Sequence, residues 1–255
     1  MTEDGRNAVV KWLRESGYPL EMRLTTACLQ SGLTTNSSFP YRDPVESGKV
    51  READILVTLA FHWSPSGAVW VMRNVIECKS PGKPWVALMP TLTQLDPATA
   101  LTPDDLVSLG DDHDVILPWL EQAWVEALAS NAVPMASNLV TAHTKDDQLN
   151  NAMSALRQTL SAAYGLHAAT GAGPAGVTML TVPALVTSGE LLSAHLDASG
   201  EPLVEDLDHV WVRVRHPIGV SSVYVHVMTE VYFVDRFVPA LRGIQREGLR
   251  RSVRV

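Results

Sequence analysis

The sequence predicts an α/β fold in which helices flank a mixed central sheet. Two extended runs, residues 53–63 and 68–78, are rich in β-branched and aromatic residues and are separated by the turn sequence SPSG, which predicts a β-hairpin. Contiguous Val-rich runs near the C-terminus are typical of strands covered on both faces. Between these two groups, apolar residues recur at three- and four-residue spacing, as in helices.

The N-terminal third is predicted to place two helices before the hairpin. The first helix is expected over residues 5–16. The second begins near Pro19, since proline suits a first helical position, and ends at about Gln30 before Gly32. The hairpin then follows, so that the core motifs lie within residues 8–90.

The remainder of the chain is predicted to be helical and then extended. LPWLEQAWVEALAS and DDQLNNAMSALRQTLSAAYGLH carry the helical pattern, which predicts a helical segment over 115–167. GAGPAG at 171–176 is interpreted as a linker. VTMLTVPALVT, HVWVRVRH and SVYVHVMTEVYF then predict further strands within 176–235. Without an internal repeat or a clear boundary, residues 1–255 are interpreted as a single domain.

Composition limits the class of protein. A chain of 255 residues with 46% hydrophobic content can bury a sizeable core. The two cysteines, Cys28 and Cys78, are too few for a disulfide framework or a cysteine-rich zinc site. The N-terminus lacks the apolar stretch of a signal peptide, and no run reaches the about 18 apolar residues of a membrane helix. We therefore expect a soluble cytoplasmic protein with no membrane partner.

Charge is unevenly distributed along the chain. The formal net charge is −8, and no Lys or Arg lies between Pro84 and Thr144, where eight acids occur. This balance argues against a basic nucleic-acid surface in that third of the chain. The final stretch LRGIQREGLRRSVRV carries five arginines and one glutamate. We interpret it as a solvated terminus, with a phosphate-binding arm as the alternative.

The end of the hairpin carries the candidate site. A turn centred between Pro65 and Ser66 places Asp54 opposite Glu77, and two carboxylates at that distance repel unless a cation lies between them. By strand alternation Lys79 shares the face of Glu77, whereas Cys78 points to the other side. Carboxylates and the Cys78 carbonyl suit a hard cation such as Mg²⁺.

These residues carry a resemblance to a known family. Asp54 followed by Glu77-Cys78-Lys79 on a β-hairpin preceded by a helix resembles the PD-(D/E)XK, or restriction-endonuclease-like, nuclease superfamily. The stretch FPYRDPVESGKVREADILV resembles the segment ahead of the metal-binding Asp in many of these nucleases, and IECKSPGKPW resembles their Glu-x-Lys strand. The resemblance covers residues 8–90 well and the later strands loosely. The proline of the family name is replaced by Ala53.

The resemblance implies a restriction-endonuclease-like core and roles for four side chains. Asp54 and Glu77 would hold Mg²⁺, or alternatively Mn²⁺, with the Cys78 carbonyl. Lys79 would position or deprotonate the attacking water and stabilise developing charge. Family members often add a carboxylate from the first core helix, for which Glu21 is the best match. Glu52, which alternation places on the side of Asp54, is the rival, and an ordinary acid in a first helical turn is the alternative for Glu21.

Other chemistries find little support in the residues. The eight histidines form no His-x-x-x-His pair, and His226 is interpreted as a core or loop residue. GAGPAG lacks the Lys-Ser/Thr of a phosphate loop, and no nucleophile elbow is present. Trp85 is interpreted as an apolar plug over the hairpin, with base stacking as the alternative. Without the resemblance, the trio of Asp54, Glu77 and Lys79 would be a surface ion cluster.

Two functions are consistent with these residues. The first is a Mg²⁺-dependent endonuclease, a phosphodiesterase acting on DNA in restriction, phage defence or repair. The second is a catalytically silent nuclease-like module that binds nucleic acid or a protein partner. The presence of Asp54, Glu77 and Lys79 together favours the nuclease. The lack of Lys and Arg between Pro84 and Thr144 favours the silent module, or a nuclease that binds its substrate through a homodimer or a partner protein.

Overall fold

The helices and strands of the chain were located in a computed structural model. It describes residues 2–16, 18–46, 48–63, 68–89, 94–95, 106–108, 119, 122–123, 133–143, 151–169, 177–215 and 222–253. The predicted hairpin turn at 64–67, the linker at 171–176 and most of the predicted helix at 117–130 lie outside these ranges. Among the described helices, none has the length and apolar character needed to cross a membrane.

Two helices and a three-stranded antiparallel unit form the N-terminal third. Helix α1 (Glu3–Glu15) begins at Thr2, whose hydroxyl accepts a hydrogen bond from the Gly5 N–H, and α2 (Tyr18–Gln30) follows. Two residues after α2 the chain turns at Gly32, which adopts a left-handed φ of 73° that a glycine tolerates without strain. The strands are β1 (Thr34–Arg42), β2 (Val50–Trp63) and β3 (Ala68–Lys79).

Short strands and one long helix occupy the middle of the chain. The described elements are β4 (Trp85–Leu88), β5 (Gln94–Leu95), β6 (Val107–Ser108), β7 (Val133–Ala136), β8 (Asn138–Thr141) and α3 (Asn151–Ala169). The predicted helical segment over 115–167 also contains two strands, β7 and β8, between its two predicted helical runs. Both strands join sheets, because β7 pairs with a later strand of the main sheet and β8 pairs with β4. Pairing across a sheet overrides local helical preference.

The C-terminal third returns to strands and ends in helix. It comprises β9 (Val177–Thr187), β10 (Leu191–Leu196), β11 (Pro202–Asp206), β12 (His209–Arg215), β13 (Ser222–Thr229), α4 (Glu230–Tyr232), a π-helical turn (Phe233–Phe237) and α5 (Val238–Val253). The predicted strand SVYVHVMTEVYF is correct only as far as Thr229. There the Thr229 hydroxyl accepts a hydrogen bond from the Tyr232 N–H and caps a helix.

The main sheet is mixed, as predicted. Its described strands run in the order β1-β2-β3-β9-β13-β12-β7-β5, with β6 pairing β9, and a second sheet has the order β11-β10-β4-β8. The hairpin partners are antiparallel, whereas β3–β9 and β9–β13 are parallel. Helices α2 and α5 pack on one face through a buried cluster, and α3 packs on the other face through a second cluster.

The interpretation of the C-terminal stretch as a solvated terminus is wrong for the residues that the structure describes. Helix α5 buries Leu241 and Ile244 in the cluster that it shares with α2. Gly248 lies directly against the Phe61 ring, where an added Cβ would come within 2.4 Å of Cδ1. The arginines occupy the other side of the same helix, and Arg246 and Arg250 are exposed. Charged residues lie between the apolar residues that pack this helix, so the helical spacing is hard to recognise in the sequence.

Candidate functional site

Asp54 and Glu77 meet where the β2–β3 ladder ends. The register pairs Ile55 with Ile76, so the pairing follows the predicted turn centre. One residue beyond, Asp54 Oδ2 accepts a hydrogen bond from the Cys78 N–H at 2.6 Å. This bond replaces the next rung of the ladder and fixes the Asp54 carboxylate beside the end of β3.

Strand alternation separates Cys78 from its two neighbours. Ile76 and Cys78 lie in the cluster under α2 and α5, whereas Val75 lies in the cluster under α3. Glu77 and Lys79 therefore lie on the side of Val75, and Lys79 Nζ is 3.1 Å from Glu77 Oε2. The ion pair joins a fully buried carboxylate to a partly exposed ammonium group.

The Cys78 carbonyl faces the same corner. The Ser188 N–H donates to the Lys79 carbonyl, so the peptide groups of Lys79 face β9. In a strand the N–H and C=O of one residue point the same way, and successive residues alternate. Because the Cys78 N–H donates to Asp54 in β2, the Cys78 carbonyl also points to the Asp54 side.

Glu21 lines the same pocket. Near the start of α2 it faces a cleft of about 420 Å³ that also exposes Asp54, Lys79 and Ser80. The rival Glu52 is exposed in β2, paired with Pro40, and does not line this cleft. The structure thus places Glu21 beside the predicted trio of Asp54, Glu77 and Lys79. Glu52 lies further away and affects Glu21 and Asp54 only through its charge.

Ser38 is a site residue that sequence reasoning missed. It has a left-handed φ of 50° within β1, between the paired residues Ser37–Ile55 and Phe39–Ala53, and so lies across from Asp54. Its side chain lies near Glu21 and opposes the rise in the pKa of that carboxyl group. A left-handed serine costs about 1–3 kcal/mol and is typical of functional sites. No local sequence pattern indicates this conformation.

The carboxyl groups raise one another's pKa. Burial and the nearby Asp54 charge raise the pKa of Glu77 to about 7. Burial raises the pKa of Asp54, although Lys79 and the Cys78 N–H oppose that shift. Burial, Asp54 and Glu52 raise the pKa of Glu21. Glu21, Asp54 and Glu77 lie near enough for their charges to interact, and Lys79 pairs only with Glu77, so this corner favours additional positive charge.

The donor set fits a hard divalent cation. Glu77 Oε1 is buried and has no hydrogen-bond partner within the described ranges, although a carboxylate oxygen in such a position requires one. No group of three or more His, Cys, Asp or Glu ligands converges among the described residues. Two carboxylates and a carbonyl nevertheless match the way Mg²⁺ binds, because this ion retains waters and takes its remaining ligands from substrate phosphate.

The other candidates from the sequence are core residues. Trp85 is buried in the cluster under α3, which agrees with an apolar plug and makes base stacking wrong. His226 is fully buried, as a core residue would be, and its Nε2 lies 3.2 Å from His209 Nδ1. The spacing of these two histidines contains no motif, and only the pairing of β12 with β13 brings them together.

The chain was also compared with known proteins. Comparisons with protein-family models, curated proteins and solved structures each found no match.

Proposed function

We propose that this protein is a metal-dependent nuclease that hydrolyses phosphodiester bonds of DNA, in restriction, phage defence or repair. The observation that carries the proposal is the buried Glu77 carboxylate, which pairs with Lys79 and leaves one oxygen without a partner among the described residues. Asp54 and Lys79 beside it line an open cleft. A buried carboxylate is costly unless it is paired or binds a cation, so this one is best explained by a function. The resemblance to the PD-(D/E)XK superfamily supports the same conclusion.

Asp54 and Glu77 would hold Mg²⁺ together with the Cys78 carbonyl, and Glu21 is the candidate for an additional ligand or a water contact. The ion, when bound, would polarise the scissile phosphate and its attacking water. The hydrogen bond from the Cys78 N–H holds the Asp54 carboxylate in place before substrate arrives. This preorganisation lowers the cost of assembling the site.

Lys79 would act on the reacting phosphate. Its ammonium group is partly exposed at the cleft, so it can donate to the attacking water or to a phosphate oxygen. Hydrolysis forms a bond from water oxygen to phosphorus and breaks the bond to the leaving oxygen. The water loses one proton and the leaving oxygen gains one. Lys79 would stabilise the negative charge that develops on the phosphate during this exchange.

The second candidate is a catalytically silent module that binds nucleic acid or a protein partner. It is favoured by the internal pairing of the site, because Asp54 already accepts from Cys78 and Glu77 already pairs with Lys79. The lack of Lys and Arg between Pro84 and Thr144 points the same way. A homodimer or protein partner would then supply the missing basic surface.

A cleavage assay distinguishes these candidates. Supercoiled and linear plasmid would be incubated with the intact protein in Mg²⁺, in Mn²⁺ or in EDTA, and with an Asp54→Asn variant that keeps the size of the side chain. The exposed Asp206→Asn in β11 serves as the matched control. We expect metal-dependent cutting that Asp54→Asn abolishes and Asp206→Asn retains. Cutting that survives EDTA, or no cutting by folded protein, would exclude the proposed nuclease.

A further inference from the structure

The cleft at Lys79 continues into a longer groove across α3. A neighbouring cavity of about 280 Å³ shares Lys79 and Ser80 with the cleft and is walled by Asn151, Ser154 and Gln158 of α3. A third cavity of about 450 Å³ shares Ser154 and Gln158 with the second. The three cavities are neighbours that share wall residues, and together they are defined here as the α3 groove, which starts at the proposed catalytic lysine and follows the helix.

The α3 wall of this groove carries neutral hydrogen-bonding groups at helical spacing. Asn151, Ser154, Gln158 and Ser161 are three or four residues apart and lie on one face of the helix. A helix rises about 1.5 Å per residue, so Asn151 and Gln158 are about 10 Å apart along the axis. This length matches about three nucleotide steps of about 3.4 Å along one strand.

Arg157 adds a positive charge to the same wall. It is exposed, lines the third cavity and forms no ion pair with any described residue. The acids opposite it are already paired. The Asp43 carboxylate accepts from the Val45 and Glu46 N–H groups and from Arg51, and Glu46 pairs with Lys49 and Arg51.

Beyond the carboxylates of the first cleft, the second and third cavities therefore fit a chain of phosphates better than a cationic or apolar ligand. Lys79 lines the second cavity and Arg157 lines the third, where Arg51 is already paired with Asp43 and Glu46. The hydroxyl and amide groups between Lys79 and Arg157 suit backbone oxygens. The tryptophan in its floor, Trp85, is buried and presents no face for a base. Contacts of this kind position a nucleic acid and do not distinguish its sequence.

We infer that one nucleic-acid strand lies in the α3 groove, with its scissile phosphate at Lys79 and a phosphate further along the strand at Arg157. Asn151, Ser154 and Gln158 contact the sugar–phosphate backbone between them. Binding is independent of sequence and depends on salt. This inference rests on the proposed function for the orientation of the strand, and it goes further by assigning the residues that bind substrate away from the reacting bond.

The test is equilibrium binding of a fluorescent DNA duplex in EDTA, which prevents metal-dependent cutting, measured over a range of salt concentrations. The variant is Arg157→Gln, an exposed substitution that keeps the fold. The matched control is Arg246→Gln, an equally exposed arginine on α5 across the sheet. Arg157→Gln should weaken binding about tenfold at low salt and reduce the slope of log K against log salt by about 1. Arg246→Gln should change neither.

Two results would overturn the groove. If the salt slope of Arg157→Gln equals that of the intact protein, Arg157 does not contact a phosphate. If Arg246→Gln weakens binding as much as Arg157→Gln does, the nucleic acid also contacts α5. The outcome is separable from that of the proposed function. Binding that depends on Arg157 without any cutting in Mg²⁺ would support the groove and reject the nuclease. Cutting that requires Lys79 while Arg157→Gln keeps the salt slope and kcat/KM of the intact protein would reject the groove alone.

Discussion

Glu77 is the residue at which stability and the proposed function conflict. Its side chain is fully buried, and burial together with Asp54 raises its pKa to about 7. One carboxylate oxygen pairs with Lys79, whereas the other has no partner among the described residues. Leaving a buried polar atom unpaired costs about 1–3 kcal/mol. If Glu77 served only to fill space in the core, an amide or an apolar side chain at this position would give a more stable protein.

Glu77→Gln should therefore separate stability from activity. We expect the free energy of unfolding near neutral pH to stay unchanged or to rise by about 1 kcal/mol, because repulsion from Asp54 is removed. Metal-dependent cleavage should fall at least about 100-fold. Urea unfolding and the plasmid assay measure the two effects, with the exposed Glu205→Gln as control. A loss of several kcal/mol would instead assign Glu77 a structural role.

For single residues, the sequence predicts which side chains lie together better than it predicts their backbone conformations. Alternation and the turn centre are enough to bring Asp54, Glu77 and Lys79 together, since a strand has a period of two. Ser38 could not be predicted, because its sequence neighbours give no sign of a left-handed φ, and only the pairing of β1 with β2 brings it opposite Asp54.

At the scale of elements, the contact between α3 and β1 fixes one wall of the groove. Gly165 of α3 lies so close to β1 that an added Cβ would be 2.6 Å from both the Arg42 carbonyl oxygen and Tyr41 Cδ2. Tyr41 is itself buried in the cluster under α3. A glycine is required here because the helix backbone approaches the strand directly.

Gly165→Ala should destabilise the protein although alanine favours helices. An alanine normally gains about 0.5–1 kcal/mol over glycine in a helix, but here α3 must move away from Tyr41, which costs about 1–3 kcal/mol. Gly243→Ala in α5 is the control, because nothing lies within 4 Å of its added Cβ, and it should be stabilising. Urea midpoints compare the two variants. Equal gains in stability would show that α3 does not pack tightly on β1.

Helices and strands with a strong hydrophobic pattern are predicted well from the sequence. Strands that form only because they pair with a neighbouring strand are not. The run VTMLTVPALVT coincides with β9, which is buried between β3 and β13. Strand β1 has the sequence TTNSSFPYR, whose Asn, Ser and Pro residues disfavour strands, and it becomes extended because it pairs with the edge of β2. Helix α5 was missed because its arginines obscure the spacing of Leu241 and Ile244.

At the scale of the whole molecule, the sheet separates two cores, and the one that contains α5 holds a pair of histidines, the fully buried His226 and the partly buried His209. His226 stacks on Trp211 with ring centroids 4.4 Å apart, and His209 stacks on Tyr232 at 4.1 Å. Burial, with a smaller effect of Arg236, lowers the pKa of His209 to about 4. Burial and His209 lower the pKa of His226. Both rings are therefore neutral in the folded protein near neutral pH.

The histidine pair should make the fold sensitive to acid. The unfolded chain takes up a proton on each histidine near pH 6.5, whereas folded His209 does so only near pH 4. Stability is therefore complete above about pH 6.5 and falls as the pH decreases towards about 4, by up to about 3 kcal/mol for His209 alone. Urea unfolding of the intact protein and of His209→Gln at several pH values measures this. An identical pH dependence in both would exclude His209 as the cause.

Composition does not locate the proposed substrate surface. The net charge of −8 argues against nucleic acid, yet it is a property of the whole chain, and all eight acids between Pro84 and Thr144 lie outside the described residues. Lys79 and Arg157 are far apart in sequence, and only the packing of α3 against the end of β3 brings them to one groove. The resemblance of residues 8–90 predicts the site, whereas the groove requires the fold.

Lys79 is the side chain proposed to act on a phosphodiester at this corner of the sheet. The most direct measurement is the single-turnover cleavage rate of Lys79→Ala beside that of Lys83→Ala, an exposed lysine four residues away in the next loop. Mn²⁺ binding by both variants is measured in parallel. We expect Lys79→Ala to cut at least about 100-fold more slowly with Mn²⁺ still bound, and Lys83→Ala to match the intact protein. Equal rates in the two variants would contradict the proposed role of Lys79.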